Sequence, residues 1–223
     1  MNLLALSTAE PGCSLAVFHQ GQLVYESVWH SRLTHSRRML AMIAPVFPDQ
    51  AGFALSDVDG FVAAKGPGSF TGLRIGISTI MGLACAVSKP AAGVSSLDGI
   101  AFRFSCADMP VCAMMDARRS QVYCAVYRFD KGQLVHKTAE QVCPPEEALS
   151  LAHEPGTLFA GSGALAYQDL IAAHTSGHAR LAPPDMHHIS AAALARPALS
   201  TPDFFTYPAN TLAPSYLRHG VRS

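Results

Sequence analysis

A chain of 223 residues can bury a sizeable core, as one large domain or two smaller lobes. Its formal net charge is zero, and the basic pairs Arg37-Arg38 and Arg118-Arg119 stand apart from other cations, which argues against autonomous nucleic-acid binding by phosphate neutralisation. Charged residues are only 14% of the chain, against about 25% in ordinary soluble domains, so a permanent partner covering part of the surface is expected.

In chain order, residues 3–6 form a short apolar run. With no charged leader and Glu10 close behind, this run reads as a first strand rather than a signal peptide. Residues 14–19 and 22–29 read as two further strands joined by a Gln20-Gly21 hairpin turn, closing a three-stranded antiparallel unit. From His35 the spacing becomes helical, through Met39, Leu40, Met42, Ile43, Val46 and Phe47, with Thr34 or Ser36 as caps and Pro45 shortening the helix. A strand through Phe61, Val62, Ala63 and Ala64 stops at Lys65. There Gly66-Pro67-Gly68-Ser69-Phe70-Thr71-Gly72 breaks any regular element.

With Thr71 as its N-cap, a helix of about three to four turns is expected to follow, carrying Leu73, Ile75, Ile77, Ile80 and Leu83. Gly76 and Gly82 in its interior cost about 1 kcal/mol each relative to alanine, which close packing would offset. Gly72, Gly76 and Thr79 form one small stripe and Ser78, Gly82 and Ala86 another, so the helix is suited to meeting its own sheet and a second helical bundle. The run 75–87 is too short and interrupted for the ~20 residues of a membrane span, and a cytoplasmic protein is expected.

The second half repeats this order: strands at 111–115, 121–129 and 133–138, a helix at 145–151, a strand at 157–160 and a helix at 163–173. Gly21-Gln22-Leu23-Val24 recurs as Gly132-Gln133-Leu134-Val135, each after a hairpin turn, which argues for duplication and a mixed sheet flanked by helices in each half. The expected division is 1–105 and 106–223, with an Ala-rich helix at 190–198 and a Pro-spaced tail. The six cysteines form no CxxC pair and mostly lie in apolar segments, as reduced core residues do.

Two lobes of strand-strand-strand-helix-strand-helix are the plan of the actin, sugar-kinase and Hsp70 (ASKHA) superfamily, whose lobes are ribonuclease-H-like. Within it the chain resembles the TsaB (YeaZ) family. The resemblance is carried by His35-Ser36, by Lys65 to Gly76 (KGPGSFTGLRIG), by Gly93-Val94-Ser95-Ser96-Leu97, by Met115-Asp116-Ala117-Arg118-Arg119 with Val122-Tyr123, and by Pro214-Ser215-Tyr216-Leu217-Arg218. It is dense to about residue 129 and thin from there to Pro214. It implies a non-catalytic scaffold that binds and activates TsaD in threonylcarbamoyl transfer to the adenosine beside the anticodon of tRNA. TsaE would be a third component, ATP and Mg would serve the complex, and tRNA would be met through the complex. It implies an interface on the first helix and the glycine-striped one, through His35, Met39, Leu40, Met42, Ile43, Leu73, Gly76, Ile77 and Ile80. The same patch would make a homodimer when the chain is alone.

Alternatives rest on other residues. No GxxxxGK[ST] motif exists, and Gly66, Gly68 and Gly72 miss the GxGxxG spacing; an anion at Gly66, Gly68, Ser69, Thr71 and Gly72 is the lesser reading, because Pro67 has no N–H. An autonomous ATP-dependent phosphotransferase or hydrolase would need a carboxylate after the first strand. Ser7 stands where many relatives have aspartate, leaving Glu10 or Asp116, with Gly161 at a second-lobe nucleotide position. The resemblance also carries an old grouping with metallopeptidases, but four residues after His35 stands Met39, a soft thioether rather than a second histidine. His174, His178, Asp185, His187 and His188 are the other metal-like group, set in a loop-like segment, and no metal site is expected. No nucleophilic triad can be justified by spacing.

Overall fold

The computed structural model describes residues 1–30, 39–40, 42–47, 50–174, 178–201, 204–205 and 211–218. The chain divides into two compact units, Met1–Gly99 with Ile189–Ser215, and Ile100–His188 with Tyr216–Ser223.

In the first unit, β1 (Leu3–Ser7) pairs antiparallel with β2 (Gly12–His19), which pairs with β3 (Gln22–His30). The β2–β3 turn places Gln20 at φ 52° and Gly21 at φ 78°, the left-handed pair that a two-residue hairpin turn requires. On the other side of β1 lie β4 (Gly60–Gly66) and β5 (Ala91–Ser95), both parallel, giving the order β3-β2-β1-β4-β5. Between β4 and β5 runs α1 (Phe70–Ala86), and α2 (Ser96–Ala101) follows β5. Residues alternate across the pleat, so Leu4, Leu6, Leu15, Val17, Phe61 and Ala63 share one face, where Ile77, Ile80 and Ala84 of α1 and Met39 and Ile43 complete a core. Met39, Leu40, Met42 and Ile43 are helical, and a 3-10 turn at Ala44–Val46 carries Pro45 as its second residue, which needs no N–H there.

The helix cap differs from the expectation: Ser69, not Thr71, is the N-cap of α1, and its hydroxyl accepts from Gly72 N at 3.2 Å. The helix therefore starts at Phe70 and reaches 17 residues. β5 carries no strand signal in the sequence. Its Ala-Ala-Gly stretch is small because Leu212 and the Lys65 stem occupy the space a side chain at Gly93 would take.

The second unit repeats the topology. β6 (Val111–Asp116), β7 (Val122–Asp130) and β8 (Gln133–Lys137) form the antiparallel part, while β10 (Leu158–Ala160) and β11 (Arg180–Leu181) extend it in parallel, in the order β11-β10-β6-β7-β8. A short β9 (Gln141–Cys143) pairs with β7. The repeated Gly-Gln-Leu-Val opens β3 and β8 alike: Lys131 and Gly132 reproduce the turn at φ 47° and 81°, and each hairpin has a bulge at a phenylalanine, between Val17 and Phe18 and between Arg128 and Phe129. Helix α3 (Pro145–Leu151) matches its expected span, whereas the single helix expected at 163–173 is two, α4 (Ser162–Ala166) and α5 (Gln168–His174).

Chain order fails at the end. Helix α6 (Ala191–Ser200) packs across β1, β2, β4 and β5, so residues 189–215 belong with the first sheet rather than with the 106–223 lobe to which the sequence assigns them. Ser190 caps α6 and donates to Glu26 Oε1 at 2.7 Å, Ala191 N donates to Ser14 Oγ at 2.8 Å, and Glu26 thereby sets a carboxylate at the helix's positive end. Beyond α6, the Phe205 ring fills the space a side chain at Gly60 would take, while Leu212 lies beside Gly93. Gly60 and Gly93 face opposite sides of the sheet, since Gly93 pairs with Ala63 and Gly60 alternates with Phe61, so the tail covers one face of the sheet at β4 and the other at edge strand β5.

Three cysteines sit in the second core. Burial, its largest cause, pushes the Cys124 thiol up to about 12, and burial also raises Cys112 and Cys143; the Cys124 and Cys143 sulfurs lie 3.6 Å apart. These thiols are expected to resist alkylation at pH 8 in the folded chain, whereas exposed Cys85 and Cys106 react; mass spectrometry after iodoacetamide reads this directly. An acid whose folded pKa is raised favours the folded state below the unfolded pKa. Stability is therefore expected to fall as pH climbs from about 9 toward 12, at up to about 1.4 kcal/mol per pH unit per thiol, in urea midpoints taken across that range.

Candidate functional site

The first site is built by the glycine loop and α1. Ser69 N donates to Ala9 O at 2.8 Å, and a side chain at Gly68 or Gly72 would strike the backbone oxygen of Ala9 or Thr8. The Gly66–Pro67 peptide is cis, and Ser215 N donates to Lys65 O at 2.6 Å, with the Ser215 carbonyl filling the space beside Gly66. These contacts explain the glycines by close approach, and the amides of Ser69 and Gly72 already have partners within the chain. Thr71 is exposed on the first turn of α1.

The two small stripes on α1 separate. Gly72 and Gly76 face Thr8, whose hydroxyl donates to Gly72 O at 2.7 Å and lies 2.3 Å from where a Cβ at Gly76 would sit. Thr79 is half-buried and donates to Ile75 O. Leu73, Ile77 and Ile80, with Met39 and Ile43, are buried in the unit's own core; Leu40 is 60% exposed and Met42 half-buried, its sulfur 3.4 Å from Cys13 Sγ. His35 lies outside the described residues. The other stripe, Ser78, Gly82 and Ala86, is exposed, and nothing lies within 4 Å of a Cβ at Gly82. At the start of this open face the Arg74 guanidinium stacks 3.8 Å from the Phe70 ring, which is 54% exposed. Sequence periodicity identified the stripes but not which of them faces the sheet.

The second site is the β6–β7 turn. Asp116 N donates to Ser162 Oγ at 3.2 Å, Asp116 Oδ1 accepts from Arg118 N at 2.8 Å, and its Oδ2 lies 3.4 Å from Arg118 Nη1. Arg118, Arg119 and Ser120 have φ of 60°, 53° and 54°, three consecutive left-handed residues at about 1–2 kcal/mol each. Arg218 donates to Gln121 Oε1 at the base of this turn. The sequence marked Asp116 and the arginines but gave no sign of the left-handed backbone, because none of these residues is glycine.

Other candidates have structural partners. Glu10 Oε2 accepts from Ile189 N at 3.2 Å, and Ser7 is buried with its hydroxyl 3.5 Å from Ala9 N. A Cβ at Gly161 would meet Met114 O at 2.2 Å, and its N–H donates to His187 Nδ1 at 3.2 Å, which fits the imidazole tautomer that donates through Nε2 to Ala182 O at 2.8 Å. His188 Nε2 lies 2.7 Å from Arg103 Nη1, Asp185 sits in a 3-10 turn, and His174 and His178 line a cleft of about 350 Å³ with His153 and Glu154. Among the described residues, no three His, Cys, Asp or Glu side chains are arranged to hold a metal ion, and no helix is long and apolar enough to cross a membrane.

The family model described as TsaD, tRNA N6-adenosine threonylcarbamoyltransferase, matches residues 30–198. The tRNA threonylcarbamoyladenosine biosynthesis protein TsaB of Haemophilus influenzae is 32% identical over 79% of this chain and 78% of its own length. That of Escherichia coli is 36% identical over 66% of this chain, which spans 64% of that relative. A crystal structure from Pseudomonas aeruginosa, described as similar to peptidase YeaZ, superposes with a TM-score of 0.82 at 32% identity, covering 97% of this chain and 99% of that one.

Proposed function

This chain belongs to the TsaB (YeaZ) family, and we propose that it works in tRNA threonylcarbamoyladenosine biosynthesis as the non-catalytic subunit that binds and activates a TsaD-type transferase. The observation that carries the reading is where its polar groups go. The Glu10 carboxylate, the Ser69 and Gly72 amides and the Gly161 amide, the groups an actin-like catalyst would turn toward nucleotide and metal, are bonded within the chain. The open face of α1, small at Ser78, Gly82 and Ala86 and aromatic at Phe70, offers what a partner helix needs for close approach, with an aromatic anchor at one end. The partner is the transferase, with TsaE as a third component and ATP and Mg used by the complex; alone, the face makes a homodimer. The test is co-purification with the transferase of the same organism and an assay of threonylcarbamoyladenosine with and without this chain. A stable complex and a loss of product on omitting the chain are expected; full product without it rejects the reading. Titration with Mg-ATP is expected to give no heat for this chain alone, and a bound nucleotide would favour an autonomous phosphotransferase.

A further inference from the structure

We propose that the Arg118–Ser120 turn, with Arg218 at its base, is a contact for the phosphate backbone of RNA. The inference rests on the reading that the chain acts on tRNA with a partner, and deepens it by assigning this subunit a direct contact with the substrate. Arg118 and Arg119 are adjacent in the turn, and the Arg218 guanidinium reaches Gln121 at its base, in a protein of zero net charge. Asp116 answers only the first of them, at 3.4 Å, with the Arg118 side chain 80% exposed. Among the described residues no carboxylate pairs with Arg119, and Arg218 is held by the neutral Gln121 amide, which fixes its position without cancelling its charge. Residues 118–120 of the left-handed run are exposed while Arg218 is half-buried, and the N–H groups of Arg119 and Ser120 donate to no described group, so two adjacent amide donors stand in the same turn as the Arg118 and Arg119 side chains.

Chemistry selects the ligand class. Planar guanidiniums and bare amides match phosphate oxygens. A turn whose residues 118–120 are polar and exposed lacks the apolar centre that a protein interface is built around, whereas backbone phosphates need only accessible cations. Two or three such contacts are too few to hold RNA tightly, in keeping with a subunit that adds to binding within a complex.

The test titrates the full 15N-labelled chain with an unmodified tRNA transcript in about 50 mM salt, where NMR registers millimolar affinities. Amide signals of residues 118–121 are expected to shift and to return when salt is raised. Arg119→Ala and Arg218→Ala should each weaken binding roughly threefold to tenfold and reduce the slope of log affinity against log salt by about 0.8. Lys131→Ala, at an exposed turn on the same unit, should change neither. Silence at residues 118–121, an equal effect of Lys131→Ala, or shifts with poly-glutamate but not with RNA would overturn the proposal; the last outcome would point to an acidic protein partner. Association with the transferase is read on the same samples by gel filtration. A chain that associates yet shows no shift loses only the RNA contact, and a chain that shifts without associating keeps the contact while the proposed function fails.

Discussion

Leucine at Gly82 is expected to leave the isolated chain folded and to remove its association with the transferase, whereas leucine at Gly76 is expected to prevent folding. The two glycines look equivalent in sequence, both interior to one helix, yet their surroundings are opposite. Open space surrounds Gly82, so in the free chain the substitution recovers helix propensity worth about 0.8 kcal/mol. In the complex the same side chain would hold two helices apart along the stripe formed with Ser78 and Ala86, and affinity should fall by at least about tenfold, or 1.4 kcal/mol. At Gly76 the first added carbon meets Thr8 Oγ1 at 2.3 Å, in a buried position where that hydroxyl already serves Gly72 O. Overpacking costs about 1–3 kcal/mol and the broken buried hydrogen bond another 1–3, a large part of the 5–15 kcal/mol that holds a domain together. Thermal melts separate the two variants, and co-elution with the transferase reads the second effect. A Gly82→Leu chain that still binds with full affinity would remove the open face of α1 from the interface.

The strand order was legible where side chains report it. Hairpin turns that need left-handed residues left Gln20-Gly21 and Lys131-Gly132 in the sequence, and the flanking alternation did the rest. What stayed hidden was set by distant contacts. β5 is built of small residues, where Leu212 and Lys65 crowd Gly93, and β11 is only two residues long, so neither shows the β-branched run that marks a strand. Ser69 and Thr71 are both good caps by type, and the choice between them follows from where the chain leaves Ala9, since Ser69 N is already bonded there. The same holds for the candidate site. Periodicity finds two small stripes on α1, but only the position of Thr8 tells which is inward. Glu10, an eligible ligand by type, is occupied by Ile189 N, 179 residues away.

That last contact leads to a prediction about where the first unit ends. A fragment ending at residue 105, the boundary suggested by the repeat, is expected not to fold by itself, whereas residues 1–99 joined by a short linker to 189–215 should. Helix α6 buries Ala191, Leu194, Ala195 and Ala198 on the sheet face opposite α1, and without it Leu3, Ala5, Ala16 and Val62 lose their cover. A single buried leucine replaced by alanine costs about 2–5 kcal/mol, so losing Leu194 with the whole helix consumes most or all of a typical domain's stability. The polar groups fail together with the apolar ones: Glu10 loses Ile189 N, Glu26 loses Ser190 Oγ, and buried Ser14 loses Ala191 N. Dispersion of amide NMR signals in the two fragments decides the matter. A well-dispersed spectrum from 1–105 would show α6 to be dispensable. Collapse of 1–105 with recovery on adding 189–215 would mean that the first sheet is completed only when residues 189–215 have been made, which ties the stability of the first unit to that segment.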